Sequence, residues 1–242
     1  MSSSRIVFGE GPANAKLMIV GEALGKKEEE LGRPFVGPSG EILEDLLAGA
    51  GLKRSCVYIT NVVKIRPPDN DLSRLNEIPN PSKTIPLTEA MQGFTLPEDE
   101  GKMFTPGYEI EDFLPLLWKE VAVLKPNCIL GLGAIALQYL TGKSGNGAIT
   151  NWRGSILPAL DARPTKCVCT YHPASLFERP REGSKSSGEG MFAWKQKAII
   201  QFDFKRAVEQ SKFPEIRRPA RFIKACRNSL DLSRFLSEYS IR

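Results

Sequence analysis

The sequence contains a single histidine, His172, and lacks an apolar run as long as the roughly 18 residues that a membrane-spanning helix needs. Its first residues also lack the charged-then-apolar pattern of a secretory signal, so we expect an intracellular protein without membrane contact. Its five cysteines do not have the spacing of a zinc site, because Cys167 and Cys169 are separated by one residue rather than two. These absences predict reduced thiols, no bound metal and no cofactor.

The composition is that of an ordinary globular protein. Of the 242 residues, 41% are hydrophobic and 25% are charged, which is enough for one sizeable core. The formal net charge is +5, a mild excess that permits binding to nucleic acid without requiring it. The function therefore has to be sought in motifs rather than in composition.

Short apolar runs alternate along the chain with segments whose apolar residues recur at helical spacing. The predicted strands are 16–20, 57–60, 128–132 and 166–170, and the predicted helices are 39–50, 113–124, 134–140 and 192–211. Such alternation is typical of an α/β fold, here a three-layer α/β/α sandwich with a central four-stranded parallel sheet. Ligands of these folds bind beyond the carboxyl ends of the strands.

Two segments interrupt this pattern. Residues 67–107 are rich in Pro, Asn, Asp and Ser and indicate an irregular insert that is too long for a plain loop. Residues 213–242 contain a Pro- and Arg-rich linker followed by one strand and one helix, which cannot bury a core alone. We therefore predict one domain over residues 1–212 and a tail over residues 213–242.

Polar side chains follow three of the predicted strands at the points where the strands end. Glu22 follows the first strand, Asn61 the second, and His172 the fourth. A segment rich in Gly and Pro runs from Gly21 to Gly40 and ends where a helix begins, which lets backbone N–H groups approach a ligand closely. We expect these groups to converge on one pocket.

Three motifs in this order, VGEALGKKEEELGRPFVGPSG, YITNVVKIRPP and YHPAS, resemble those of the uracil-DNA glycosylase superfamily. The resemblance is closest to the iron–sulfur branch and covers approximately residues 6–207. It implies a glycosylase that flips uracil out of single- or double-stranded DNA and hydrolyses the bond between base and sugar. It also implies a monomeric protein whose partner is uracil-containing DNA.

The resemblance implies a role for each matching position. Glu22, Glu28 and His172 match catalytic groups, Phe35 matches the ring that stacks on the base, and Asn61 matches the amide that reads its edge. The chemistry needs these types, because a carboxylate stabilises a cationic sugar and an imidazole N–H stabilises the departing anionic base.

The resemblance also implies contacts around these groups. Ala23 and Gly25 would border the base, although Ala23 falls where some branches place a water-activating Asp. The predicted DNA contacts are Lys64, Arg153, Pro173, Ser175, Leu176 and Phe177. Of these, Leu176 and Phe177 stand where the superfamily commonly places a wedge that fills the vacated base stack.

The sequence departs from the iron–sulfur branch at all four cluster ligands. No cysteine precedes Cys56, Ile65 occupies the third ligand position, and the fourth region, residues 110–114, reads IEDFL. Since such clusters are held by cysteine thiolates, we expect none here. Leu24 also replaces the proline of the first motif, which leaves that turn less rigid.

Other interpretations stay open at this point. His172 could be a structural histidine, Phe35 a core residue, Asn61 a turn cap and Arg153 half of a salt bridge. The chain could be a module that binds uracil or DNA but cleaves poorly. A nucleotide-cofactor enzyme built on the glycine-containing segment 131–136 is a more distant alternative.

The tail adds a weak second resemblance. Residues 220–242 are similar to the lead-in to the proofreading exonuclease of family-A DNA polymerases. This implies a uracil-reading module attached to a replication enzyme, in a bacterium or a phage-infected cell. The alternative is a C-terminal strand and helix of a stand-alone repair protein.

Overall fold

The computed structural model describes residues 5–86, 103–160, 165–177 and 189–216. The middle of the predicted insert and nearly all of the predicted tail therefore lie outside the described residues. No helix within these ranges is long and apolar enough to cross a membrane.

Seven strands and six α-helices make up the described part. The strands are β1 Leu17–Gly21, β2 Tyr58–Asn61, β3 Ile85–Pro86, β4 Met103–Phe104, β5 Cys128–Leu132, β6 Ile156–Pro158 and β7 Lys166–Thr170. The helices are α1 Lys26–Leu31, α2 Pro38–Gly49, α3 Leu114–Leu124, α4 Ala134–Thr141, α5 Ala148–Trp152 and α6 Glu189–Ser211.

Five of the strands form the central sheet, in the spatial order β2-β1-β5-β7-β6. The first four are parallel, which confirms the predicted parallel sheet and α/β fold class. The edge strand β6 runs antiparallel to β7 and was not predicted. It is only three residues long and ends in Pro158, so it shows neither a clear alternation nor a favourable strand composition.

Helices cover both faces of this sheet because alternate residues of each buried strand point to opposite sides. In β1, Leu17 and Ile19 pack into the apolar cluster that contains residues of α2 and α6. Met18 and Val20 pack into the second cluster, which contains residues of α3 and α4. Every residue of β1 is buried, which is the pattern of a central parallel strand.

The topology brings three strand ends to one edge. The chain passes from β1 to its neighbour β2 on one side, whereas β5 lies on the other side of β1. Such a reversal of strand order opens a crevice at the carboxyl ends of the strands. Glu22, Asn61 and His172 all stand at this edge, each at or just beyond a strand end.

The described residues of the insert contain short regular elements. Residues 68–83 form three short 3-10 turns, and β3 pairs with β4 in a two-stranded antiparallel ladder. Asn70, in the first of these turns, reaches the crevice at the strand ends.

Candidate functional site

A cleft of about 660 Å³ opens at the carboxyl edge of the parallel strands. The sequence-predicted residues that line it are Glu22, Ala23, Gly25, Glu28, Phe35, Asn61, His172 and Phe177. The structure thus brings together groups from three motifs that are far apart in the sequence.

Asn61 presents a buried hydrogen-bond acceptor to this cleft. Its side chain is 2% exposed, and its Oδ1 atom has no hydrogen-bond partner among the described residues. A buried acceptor without a donor is rare in native proteins, and a bound ligand is one explanation for it. Gly21 leaves room for this atom, since a Cβ at that position would lie 2.3 Å from Asn61 Oδ1.

Phe35 is held in an uncommon backbone conformation beside this acceptor. Its φ angle is +51°, in the left-handed region that non-glycine residues seldom adopt. A Cβ at Gly21 would lie 2.4 Å from the tip of the Phe35 ring, and the ring centroid lies 5.9 Å from that of His172. Phe35 both packs in the core and lines the cleft wall, so the two interpretations of this residue are compatible.

Glu28 is bound to the backbone of the loop that carries Phe35. Its Oε1 atom accepts hydrogen bonds from Val36 N at 3.0 Å and from Gly37 N at 2.8 Å. Gly25 and Gly37 both lie against this carboxylate, where a Cβ would crowd it. This arrangement fixes the Glu28 carboxylate against the loop, and the catalytic role that the resemblance implies stays a prediction.

Glu22 is the second carboxylate that lines the cleft. Burial raises the pKa of its carboxyl group above the ordinary value of 4.5. Its backbone carbonyl accepts a hydrogen bond from Val63 N at 2.9 Å, which fixes the residue beside the end of β2. Within the described residues, its side chain has no salt-bridge partner, so it remains available to a substrate.

His172 enters the cleft as a neutral ring. Its Nδ1 atom accepts a hydrogen bond from Ala174 N at 3.1 Å, so the neutral ring carries its proton on Nε2. Burial lowers the pKa of the imidazole from 6.5 to about 4. Pro173 stands at the first position of the following 3-10 turn, where its fixed φ angle favours this geometry.

The residues after His172 differ in their access to DNA. Pro173 is buried, and Leu176 is half-buried against the core. Ser175 is exposed, and its hydroxyl donates to His172 O at 2.7 Å. Phe177 is 40% exposed and also lines the cleft, which makes it the better placed of the two predicted wedge residues.

Lys64 is not on the surface, and the prediction that it contacts DNA is wrong. The side chain is fully buried, and its Nζ atom lies 2.6 Å from Glu120 Oε2 and 2.5 Å from Thr60 Oγ1. An ammonium group avoids such burial unless it is paired, and Glu120 of α3 supplies the pair. Sequence reasoning missed this because the partner lies 56 positions away.

Arg153 forms a salt bridge, the second of the two interpretations that the sequence left open. Its Nε and Nη2 atoms donate to the fully buried Asp203 at 2.9 and 2.7 Å. Asp203 also accepts a hydrogen bond from Thr170 Oγ1 at 2.7 Å, so the pair ties α6 to the end of β7. Arg153 therefore has a structural role, and its contact with phosphate stays a prediction.

Eight further residues that line the cleft were not predicted from the sequence: Leu24, Lys26, Lys27, Pro38, Ser39, Pro67, Asn70 and Ala174. The two lysines lie at the mouth of the cleft, next to the first motif, and that position is the signal that could have identified them. Nothing in the insert's sequence indicated that it reaches the cleft.

The residues that replace the cluster ligands do not fit an iron–sulfur cluster. Ile65 is fully buried in the apolar core, together with Phe113, and Ile110 packs against the same core. None of these side chains can ligate iron. Within the described ranges, no group of three or more His, Cys, Asp or Glu side chains is arranged to hold a metal ion.

The segment 131–136 does not need a cofactor to explain its glycines. A Cβ at Gly131 would lie 2.7 Å from Cys169 Sγ, and Gly133 has a φ angle of +93° at the start of α4. Tight packing of a strand against a helix accounts for both glycines. This geometry favours the structural interpretation over the nucleotide-cofactor alternative.

Comparison with known proteins agrees with the geometry. The profile of the Uracil DNA glycosylase superfamily matches residues 8–199. A Type-4 uracil-DNA glycosylase of Pyrobaculum aerophilum is 34% identical over 177 residues, 72% of this chain and 74% of that protein. A Type-4 uracil-DNA glycosylase of Thermotoga maritima is 32% identical over 178 residues, 73% of this chain and 74% of that protein.

One relative of another kind is also similar. A DNA polymerase of Bacillus phage SP01 is 25% identical over 174 residues, which is 72% of this chain but only 15% of the polymerase. The similarity therefore lies within one part of a much longer protein. Together with the three motifs and the cleft at the strand ends, these findings confirm the predicted family: the chain belongs to the uracil DNA glycosylase superfamily.

Proposed function

We propose that this protein is a uracil-DNA glycosylase, which moves uracil out of a DNA strand into the cleft and hydrolyses its bond to the sugar. The observation that carries the proposal is the buried, unpaired Oδ1 atom of Asn61 in a cleft that also holds a neutral His172. The names of the glycosylase relatives support the same activity.

Recognition of uracil rests on the Asn61 amide. Uracil offers an N3–H donor beside its O4 acceptor, so Oδ1 accepts from N3–H while the amide nitrogen donates to O4. Cytosine has an amino group in place of O4 and an unprotonated N3, which would face Oδ1 as a second acceptor. A buried polar group left unpaired in this way discriminates between analogues by about 10⁴- to 10⁵-fold.

Phe35 contributes affinity rather than selectivity. Stacking of a base on an aromatic ring is worth about 1–3 kcal/mol and tolerates any base, because every base has a π-face. The neighbouring contacts with Gly21 and His172 place this ring on the wall of the cleft, close to the amide that reads the base edge.

Bond cleavage requires opposite charges to be stabilised at the two ends of the breaking bond. The electron pair of the glycosidic bond leaves with N1 of uracil and spreads onto O2, where His172 donates a hydrogen bond from Nε2–H. The sugar becomes cationic, and the Glu22 carboxylate stabilises it and orients the attacking water. The water oxygen bonds to the sugar carbon and its proton passes to the carboxylate, which leaves an abasic site.

Glu22 orients the attacking water because the side chain of its neighbour, Ala23, has no group that can do so. Ala23 has only a methyl group at the position where some branches of the superfamily place an Asp. Glu28 is hydrogen-bonded to the loop of Phe35 and serves as a positioning residue. The reaction therefore requires Glu22 in its ionised form, although burial raises its pKa.

The DNA surface combines an apolar wedge with positive charge. Phe177 fills the space that the uracil vacates in a duplex, while Lys26 and Lys27 at the mouth of the cleft contact the flanking phosphates. The protein acts as a monomer on uracil-containing DNA, inside a bacterium or a phage-infected cell.

A second candidate is a uracil-binding module, weak in cleavage, that works with a DNA polymerase. The similarity to part of the SP01 polymerase favours it, as does the methyl group of Ala23. In this arrangement residues 1–212 form the uracil-reading domain, and residues 213–242 connect it to the exonuclease and polymerase domains.

Incubation with an oligonucleotide that contains one uracil, followed by alkali, tests both candidates. A glycosylase gives a strand break at the uracil position, whereas the binding module retains the intact strand.

Asn61→Ala and His172→Ala should each lower excision by about 100-fold or more, with an unchanged melting temperature. Asn151→Ala, an exposed residue that does not line the cleft, is the matched control and should cleave as the unaltered protein does. Full activity in both cleft variants would overturn the assignment.

A further inference from the structure

The loop that carries Phe35, residues 34–37, is held from two sides. On one side Glu28 accepts hydrogen bonds from the N–H groups of Val36 and Gly37. On the other side Arg54 donates from Nη1 to Phe35 O at 2.8 Å and from Nη2 to Pro34 O at 2.5 Å. Four consecutive residues of the loop therefore each have one backbone group fixed by a charged side chain.

We propose that Arg54 is a positioning residue for base stacking, which holds the Phe35 ring in the orientation that uracil needs. This inference rests on the proposed function. Arg54 does not line the cleft and belongs to none of the three sequence motifs, so its influence on the substrate passes through the loop.

The loop needs such a partner because Phe35 occupies a sparsely populated conformation. A φ angle of +51° is unfavourable for a residue with a Cβ, so an unrestrained loop would relax toward negative φ and swing the ring away. The carbonyls of Pro34 and Phe35 lie on either side of the bond between the Phe35 nitrogen and α-carbon. The Arg54 hydrogen bonds to these two carbonyls therefore oppose a change in the φ angle of Phe35. The guanidinium reaches both carbonyls at once because its donors form a planar fork.

Glu10 fixes Arg54 in turn. Its Oε1 atom accepts from Arg54 Nη2 at 2.6 Å and from Nε at 3.1 Å, and the Arg54 side chain is only 18% exposed. The Glu10 backbone is bridged to Ile59 of β2. Arg54 itself lies in the 3-10 turn that leads into β2, the strand that ends at Asn61. The stacking ring and the base-reading amide are thereby anchored to the same strand.

Arg33 provides a matched control in the same cluster. Its Nε and Nη2 atoms bind Glu10 at 2.7 and 3.0 Å, and these hydrogen bonds, unlike those of Arg54, do not extend to the loop carbonyls. Arg33→Ala removes one cation from the cluster and leaves both Arg54 contacts with the loop. Arg54→Lys retains the positive charge but loses the planar set of donors that reaches both carbonyls. It therefore tests whether the effect of Arg54 depends on its charge or on its hydrogen-bond geometry.

The first readout is independent of DNA. His172 is the only histidine, so its ring protons can be assigned in NMR spectra, and their nuclear Overhauser contacts with the Phe35 ring report the ring position. We expect these contacts to weaken in Arg54→Ala and Arg54→Lys and to persist in Arg33→Ala. Unchanged contacts in folded Arg54→Ala would overturn the proposal, whether or not the protein excises uracil.

The second readout is a double-mutant cycle with Phe35→Ala. The ligand is an oligonucleotide with 2′-fluoro-2′-deoxyuridine, whose electron-withdrawing fluorine slows bond cleavage so that binding is measured alone. Arg54→Ala should weaken binding by about tenfold, the size of a partial loss of base stacking. In the Phe35→Ala background the same change should have no further effect, because the ring it positions is gone.

The outcomes separate this proposal from the proposed function. An equal loss in both backgrounds would show that Arg54 acts on overall structure or charge, and would overturn the positioning role. Binding and excision absent from the unaltered protein would instead contradict the proposed function, while the NMR contacts would still decide whether Arg54 positions Phe35.

Discussion

The pH at which His172 becomes protonated distinguishes a buried neutral imidazole from an ordinary exposed histidine. Burial in the cleft lowers the pKa of His172 to about 4. Because Nδ1 accepts the N–H of Ala174 and Nε2 already carries a proton, protonation of the ring has to occur at Nδ1 and breaks that hydrogen bond. Protonation of the ring is therefore disfavoured for two reasons: the charged ring would be poorly hydrated, and the hydrogen bond from Ala174 N would be lost.

The size of the effect follows from the two pKa values. With a pKa of about 4 the ring is about one tenth protonated at pH 5, whereas with the ordinary value of 6.5 it is about 97% protonated. This difference in pKa corresponds to about 3 kcal/mol. Since the folded protein binds fewer protons than the unfolded chain, the stability contributed by the neutral ring is complete above pH 6.5 and declines as the pH falls toward 4.

An NMR titration of the imidazole measures this directly, because His172 is the only histidine. We expect a midpoint near pH 4 in the folded protein and nitrogen shifts typical of the Nε2–H tautomer above it. In concentrated urea the midpoint should return to about 6.5. A folded-state midpoint near 6.5, or a neutral ring with its proton on Nδ1, would refute the reasoning that makes His172 a neutral hydrogen-bond donor.

Three further substitutions test other parts of the site. Gly21→Ala should abolish uracil binding, measured by titration with a uracil-containing oligonucleotide, because the new Cβ would lie 2.3 Å from Asn61 Oδ1; retained affinity would contradict the packing described. Phe177→Ala should lower excision from duplex DNA more than from single strands, since only a duplex needs a wedge; equal losses would argue against that role. Glu120→Ala should destabilise the protein by about 3–5 kcal/mol in urea unfolding, because Lys64 would remain buried without its carboxylate; a loss below about 1 kcal/mol would show that the pair contributes little.

Much of the fold was predictable because the informative signals are local. The four parallel strands are short apolar runs, and Glu22, Asn61 and His172 stand at or directly beyond the ends of three of them. Once the strands are parallel, their carboxyl ends share one edge, so the meeting of these three side chains follows from order along the chain. These three cleft residues were accessible to sequence reasoning for this reason.

The wrong prediction and the omissions concern contacts between distant parts of the chain. From the sequence alone Lys64 resembles a surface cation, whereas in the structure it is buried and paired with Glu120 of α3. The sequence singles out Glu28 as a site carboxylate but does not indicate that Val36 N and Gly37 N donate to it. Arg54, 19 positions from Phe35, carries no local signal at all. Burial and hydrogen bonding of charged groups depend on tertiary packing, which no local pattern encodes.

Base release from two otherwise identical oligonucleotides, one with a uracil and one with a cytosine at the same position, measures recognition and cleavage together. If the unpaired Oδ1 atom of Asn61 reads the base and Glu22 and His172 cleave the bond, alkali should break the uracil strand only. The selectivity over cytosine should be at least about 10⁴-fold. A uracil strand left intact by the folded protein, or equal cleavage of both strands, would contradict this mechanism.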